Sequence, residues 1–178
     1  MRTRARTVIV CATPVIAAIA LVSVTAWAQH AHDVSHARGH QAAQACQSEF
    51  ESVIADGRGF GLAFAADQNG YPGPMHVLEL QDRLGLTADQ ETNMRALMHA
   101  MFAESKPKGA RLLAAEAQLR RLFADVTATD ASVRTAVADV ERARREVRLV
   151  HLLTHLKTRD LLTDAQRRIY QEARWGGR

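Results

Sequence analysis

The sequence predicts an all-α fold: a long antiparallel helical hairpin with short flanking helices. Three observations predict it. Apolar residues recur in steps of three and four along two long stretches, the period of one helix face. Threonines able to cap a helix stand before both stretches and before a shorter third one. No segment reads as a strand.

The chain opens with Arg2, Arg4 and Arg6, followed by an apolar run from Val8 to about Val24 and then Ala26-Trp27-Ala28. This order predicts a secretory signal over 1–28, cleaved before Gln29. The run is nearly long enough to span a bilayer, so an uncleaved anchor is the alternative. Pro14 and the small-residue exit favour cleavage, and hence an exported protein. The whole chain holds 23 Lys+Arg against 19 Asp+Glu, and the leader takes three arginines and no acid, leaving 20 against 19. The basic balance therefore belongs largely to the leader and gives no argument for a nucleic-acid partner. Cys46 is the one cysteine beyond the leader, so no internal disulfide can form there. It is left to pair between subunits, to bind metal, or to pack as a small unpaired hydrophobe.

Residues 29–73 read as a His-rich and Gly-rich segment, partly disordered. Gln29 to His40 is polar and has no periodic apolar face. A short helix is expected from about Gln41 to Ala55, with Phe50, Val53 and Ile54 apolar. The stretch Gly57 to Gly61 is no phosphate loop, since no strand precedes it and no Lys-Ser/Thr follows. Leu62 to Ala66 is open, helical or extended. Asn69 to Pro74 is a turn cluster, and Pro74 suits a first helical turn.

Residues 74–175 form the expected helical domain. Met75 to Leu84 reads as one helix, ended by Gly85 in left-handed geometry. Thr87 caps the first long helix, whose apolar positions include Met94, Leu97, Met98, Met101, Phe102, Leu112, Leu119 and Phe123. Pro107 and Gly109 predict a kink rather than a stop. After a short connection, Thr129 or Asp130 caps the second long helix, with a stripe of Val133, Val137, Val140, Val147, Val150, Leu153 and Leu156. Thr163 caps the last helix, which runs to about Arg174. Two long helices with so short a connection must be antiparallel neighbours, each roughly 50 Å long. A hairpin buries one face of each helix, so the surplus apolar surface predicts a homodimer.

One pattern occurs twice. Leu86, Thr87, Ala88, Asp89, Gln90 and Leu162, Thr163, Asp164, Ala165, Gln166 both read Leu-Thr-x-x-Gln. In each, threonine can accept from a free backbone N–H while glutamine reaches back to the cap, the reciprocal arrangement of a capping box. Asp89 and Asp164 add negative charge where the helix dipole favours it. An export signal, a small helical domain and two such copies resemble the Spy/CpxP family of periplasmic proteins, together with zinc-resistance-associated proteins and periplasmic heavy-metal sensor subunits. The resemblance covers roughly Pro74 to Trp175. It implies a cradle-like helical dimer and one of two roles. The first is ATP-independent chaperoning of unfolded periplasmic proteins under envelope stress. The second is metal sensing or resistance, working through Zn, Ni, Co or Cu. A membrane-bound sensor or anti-sigma factor is the further partner class.

Catalysis is not expected, because no nucleophile stands beside a histidine in a recognisable motif. No cofactor is required by any motif. His151 and His155 lie four apart on a helix and can present two imidazoles to one ion, or can simply be packed. His30, His32, His36 and His40 form a tract able to bind metal weakly. Met94, Met98 and Met101 share a face, which suits core packing or a plastic binding surface better than copper. Arg142 and Arg145, interleaved with Leu149, Leu152 and Leu156, make an amphiphilic surface suited to unfolded segments, or an ordinary charged helix face.

Overall fold

The computed structural model describes residues 39–176. The leader and His30, His32 and His36 lie outside the described residues. The chain divides into two units, Met1–Cys46 and Gln47–Arg178. In the first, residues 39–46 are helical and exposed, His40 and Cys46 among them.

The second unit is all-helical among its described residues. Residues 47–55 are helical (α1). Then come α2 (Phe64–Asp67), α3 (Pro74–Glu79), α4 (Gln81–Leu84), α5 (Ala88–Ala124), α6 (Asp130–Asp160) and α7 (Asp164–Trp175). The segment left open at 62–66 is thus largely helical. The single helix expected over Met75 to Leu84 is two, divided at Leu80, whose φ of −109° and ψ of 15° leave the helical region. Pro74 opens α3, and Gly85 ends α4 at φ 59°.

The long elements are α5, 37 residues, and α6, 31 residues. They pack side by side. Arg111 pairs with Glu146 at 3.1 Å, and Glu116, further along α5, pairs with Arg144, earlier on α6, at 3.1 Å. The two helices therefore run antiparallel. α5 continues through Pro107 without a stop, as the sequence predicts. Two residues on, Gly109 lies against α1, where a Cβ would come 2.6 Å from the Ile54 carbonyl oxygen. Glycine is what lets these two backbones cross.

Two cores hold the unit. One joins Ile54, Leu112, Val140 and Val147 between α1, α5 and α6. The other joins Val77, Leu84, Met94, Leu162 and Tyr170 at the end of the hairpin where α3, α4 and α7 gather. Ile54, Val77, Met94, Leu112 and Tyr170 are wholly buried. Each such aliphatic side chain contributes roughly 2 kcal/mol of burial.

The expected stripe on α6 is corrected in part. Val140, Val147 and Val150 are buried, but Val137, Leu153 and Leu156 are exposed. The face that α6 buries runs through Ala136, Val140, Val147, Val150, His151, Thr154, His155 and Thr158. Its second half thus turns polar residues inward and leucines outward. No helix among the described residues is long and apolar enough to cross a membrane.

Candidate functional site

The two Leu-Thr-x-x-Gln copies meet. In the first, the Thr87 hydroxyl accepts from the Gln90 backbone at 3.2 Å, and Thr87 N–H donates to Gln90 Oε1 at 3.1 Å. In the second, the Thr163 hydroxyl accepts from the Gln166 backbone at 3.2 Å, and Thr163 N–H donates to Gln166 Oε1 at 2.9 Å. Each glutamine then has its amide NH2 left over. Gln90 donates to Gln166 Oε1 and Gln166 donates to Gln90 Oε1, both at 2.9 Å. Gln90 also donates to the Leu161 carbonyl at 2.8 Å, and Gln166 reaches the Gly85 carbonyl at 3.5 Å. Leu161 and Gly85 each precede the leucine of their motif, so the junction has local two-fold symmetry. Leu162 is buried and Leu86 half-buried against the same core. The motif is a clasp between the starts of α5 and α7. A third capping box, Thr129 with Ser132, opens α6 and takes no part in it.

Leu149, Leu153 and Leu156 are 47%, 50% and 47% exposed, at spacings of four and three on one helix face. Leu152 is half-buried. Arg142 is exposed and pairs with Asp139 at 2.9 Å, while Arg145 is exposed and has no ion-pair partner among the described residues. Arg148 is held to the second unit's loop by a 3.0 Å bond to the Leu62 carbonyl.

The opposite face of α6 borders a cavity of about 340 Å³, closed by the loops at Gly59 and Gly73, by Met101 and Phe102 of α5 and by the end of α7. His151 and His155 both line it and are 4% and 6% exposed. Gly59 presses on the His151 ring, since a Cβ there would lie 3.0 Å from Cγ. Gly73 does the same to His155, at 3.0 Å from Nε2. The glycine-rich loops of the sequence are therefore the walls that allow two imidazoles to be buried. Ser105 fastens the first loop by donating to the Gly57 carbonyl at 2.5 Å.

His155 Nδ1 lies 2.6 Å from the Tyr71 carbonyl, which can only accept, so Nδ1 carries the proton and Nε2 the lone pair. His151 Nε2 is buried without a partner. Burial lowers the His151 pKa from 6.5 to about 4, helped by the neighbouring His155. Burial also lowers that of His155, against the Tyr71 bond and the nearby Asp67. Both rings are neutral at pH 7. The side chains of this cavity able to ligate a soft ion are these two imidazoles, that of His76 and the thioethers of Met75 and Met101. Of the three methionines expected on one face, Met94 and Met101 are buried and Met98 half-buried.

A polar group with no sequence signal closes one side. Tyr170 donates to Asp67 at 2.5 Å and Arg174 Nε donates to the same carboxylate at 3.1 Å. Arg174 also lies 3.1 Å from His76 Nε2; a guanidinium only donates, so the His76 proton sits on Nδ1, 3.6 Å from Asp67. Burial pushes the Asp67 carboxyl up, but His76, Tyr170 and Arg174 outweigh it and hold the pKa down at about 2. Burial, then the hydrogen bond to Asp67, raises the Tyr170 hydroxyl far above its usual range. Asp67 and Tyr170 lie 103 positions apart, so nothing local could have paired them.

Comparison of the chain with protein-family models, with characterised proteins and with solved structures finds no match.

Proposed function

We propose that this protein is an exported, ATP-independent holding chaperone of the Spy/CpxP kind, using the outer face of α6 to keep unfolded clients from aggregating. The observation that carries the reading is the inversion of α6, in which Leu149, Leu153 and Leu156 face outward while His151, Thr154 and His155 are buried. Keeping three large leucines half-exposed in a row costs solubility, which a binding role would offset. Arg142 and Arg145 on the same helix would draw acidic segments to it and keep the unloaded face hydrated. The twin capping motifs and the leader-like first residues support the family and the compartment. The same face would serve a homodimer if copies rather than clients cover it.

The test is light scattering of a heat- or reductant-denatured client with and without the protein. Suppression at stoichiometric amounts is expected, and Leu149→Ser/Leu153→Ser/Leu156→Ser should lose most of it while unfolding at an unchanged urea midpoint. Equal suppression by the triple variant would remove α6 from the account. A metal-responsive role, with Zn, Ni, Co or Cu on His151 and His155, is the second reading, favoured by the two imidazoles lining one cavity. Calorimetry on the protein and on His151→Ala/His155→Ala separates it from the first.

A further inference from the structure

The cavity behind α6 is independent of the outer leucine face, and its chemistry points to a different kind of occupant. Its walls are mostly apolar, with Phe64, Pro74, Met101 and Phe102 among them. The charges at its edge are already matched: Arg174 to Asp67 at 3.1 Å and Arg58 to Asp56 at 3.2 Å. A charged guest would leave water without finding an uncommitted counter-charge, which is unfavourable. What the cavity does offer is a hydrogen-bond acceptor. His155 donates through Nδ1 to Tyr71, so Nε2 keeps its lone pair, and no described residue donates to it. Glycine at 73 keeps a side chain off that nitrogen, since a Cβ would stand 3.0 Å from it. A volume of about 340 Å³ lies at the small end of the range of ligand pockets, which suits one or two rings.

We propose that this cavity binds a small neutral aromatic molecule carrying a hydroxyl, a phenol in class, with its ring among Met101, Phe102 and Phe64 and its hydroxyl donating to His155 Nε2. The apolar walls supply affinity, and the lone pair of His155 Nε2 supplies direction. The ring nitrogen would otherwise stay unpaired beside an apolar guest, so the site discriminates against the same ring without its hydroxyl.

The probes are 2-naphthol and naphthalene, titrated calorimetrically into the full protein at pH 7. Binding of 2-naphthol is expected, at least tenfold tighter than naphthalene. Gly73→Ala, which places a methyl beside Nε2, should bring 2-naphthol down to the naphthalene value. Met101→Trp, which fills the cavity, should abolish both. Circular dichroism identifies any variant that fails to fold, and the comparison of the two probes on the unaltered protein stands without variants. Equal affinity for the two probes would overturn the proposal, as would binding that survives Met101→Trp, or no binding of 2-naphthol at millimolar concentration. A tight Zn, Ni, Co or Cu site that excludes 2-naphthol, and that His155→Ala removes, would overturn it in favour of a metal. None of these outcomes bears on aggregation suppression by the outer face of α6.

Discussion

Replacing Gln166 with alanine should unlock the motif junction, and the hydrogen bonds of its side chain give the scale of the effect. The side chain is 7% exposed. Its removal deletes the 2.9 Å bond from Thr163 N–H and both 2.9 Å bonds exchanged with Gln90; the exposed Thr163 hydroxyl, which donates to Oε1 at 3.1 Å, turns to water instead, and the 3.5 Å contact to Gly85 is too long to count for much. Three sound bonds at about 1 kcal/mol each predict a loss of about 3 kcal/mol. With a urea slope of about 2 kcal/mol/M, the midpoint should fall by about 1.5 M. Gln90→Ala loses the same two exchanged bonds, together with those to Thr87 N–H at 3.1 Å and the Leu161 carbonyl at 2.8 Å. The double variant can lose the shared pair only once. It should therefore be less destabilised than the sum of the single variants by about 2 kcal/mol. The assay is urea unfolding followed by circular dichroism on all four proteins. Additivity within about 0.5 kcal/mol would show that the glutamines do not hold each other and would refute the clasp.

Three further outcomes follow from the same packing. His151 has a pKa of 6.5 unfolded and about 4 folded, so the unfolded chain binds more protons between those values and stability falls as pH is lowered through that window. Unfolding at pH 7 and pH 4.5 should differ by about 2.5 kcal/mol from this residue, and His151→Leu should lose that share of the slope. Gly109→Ala puts a methyl 2.6 Å from the Ile54 carbonyl, a backbone atom that cannot step aside, and should cost about 2 kcal/mol in urea unfolding despite alanine's better helix propensity. Tyr170→Phe removes a donor from the Asp67 carboxylate while the ring stays wholly buried, and should cost about 1–3 kcal/mol by the same measurement.

What could be read from the letters was local. The caps at Thr87, Thr129 and Thr163 are correct because a cap and its partner lie within one helical turn. The end of α4 at Gly85 is correct because only left-handed geometry was asked of it. The hairpin followed from two long helical periods and a short connection. The inward face of α6 did not, because leucine dominates any reading of its pattern. Packing instead selected the smaller Ala136, Val140, Val147, Thr154 and Thr158, which let α5 and its neighbours approach. The break at Leu80 carries neither proline nor glycine, so no letter announced it. The imidazole pair was legible as a pair, yet its surroundings come from Gly59, Gly73, Tyr71 and Met101, all at least 50 positions away along the chain from α6's histidines. The mutual grip of Gln90 and Gln166 was hidden for the same reason, although each had been placed correctly in its own turn.

The clasp also sets where the molecule yields. It ties the beginning of α5 to the beginning of α7, while at the far bend of the hairpin Phe123 is 60% exposed and Val126, at φ 56°, is 91% exposed. The hairpin is a lever anchored at one end. Amide hydrogens near Met94 and Thr158 should exchange only when the whole unit unfolds, and those near Leu122 and Val133 through local fraying that leaves the anchored end intact.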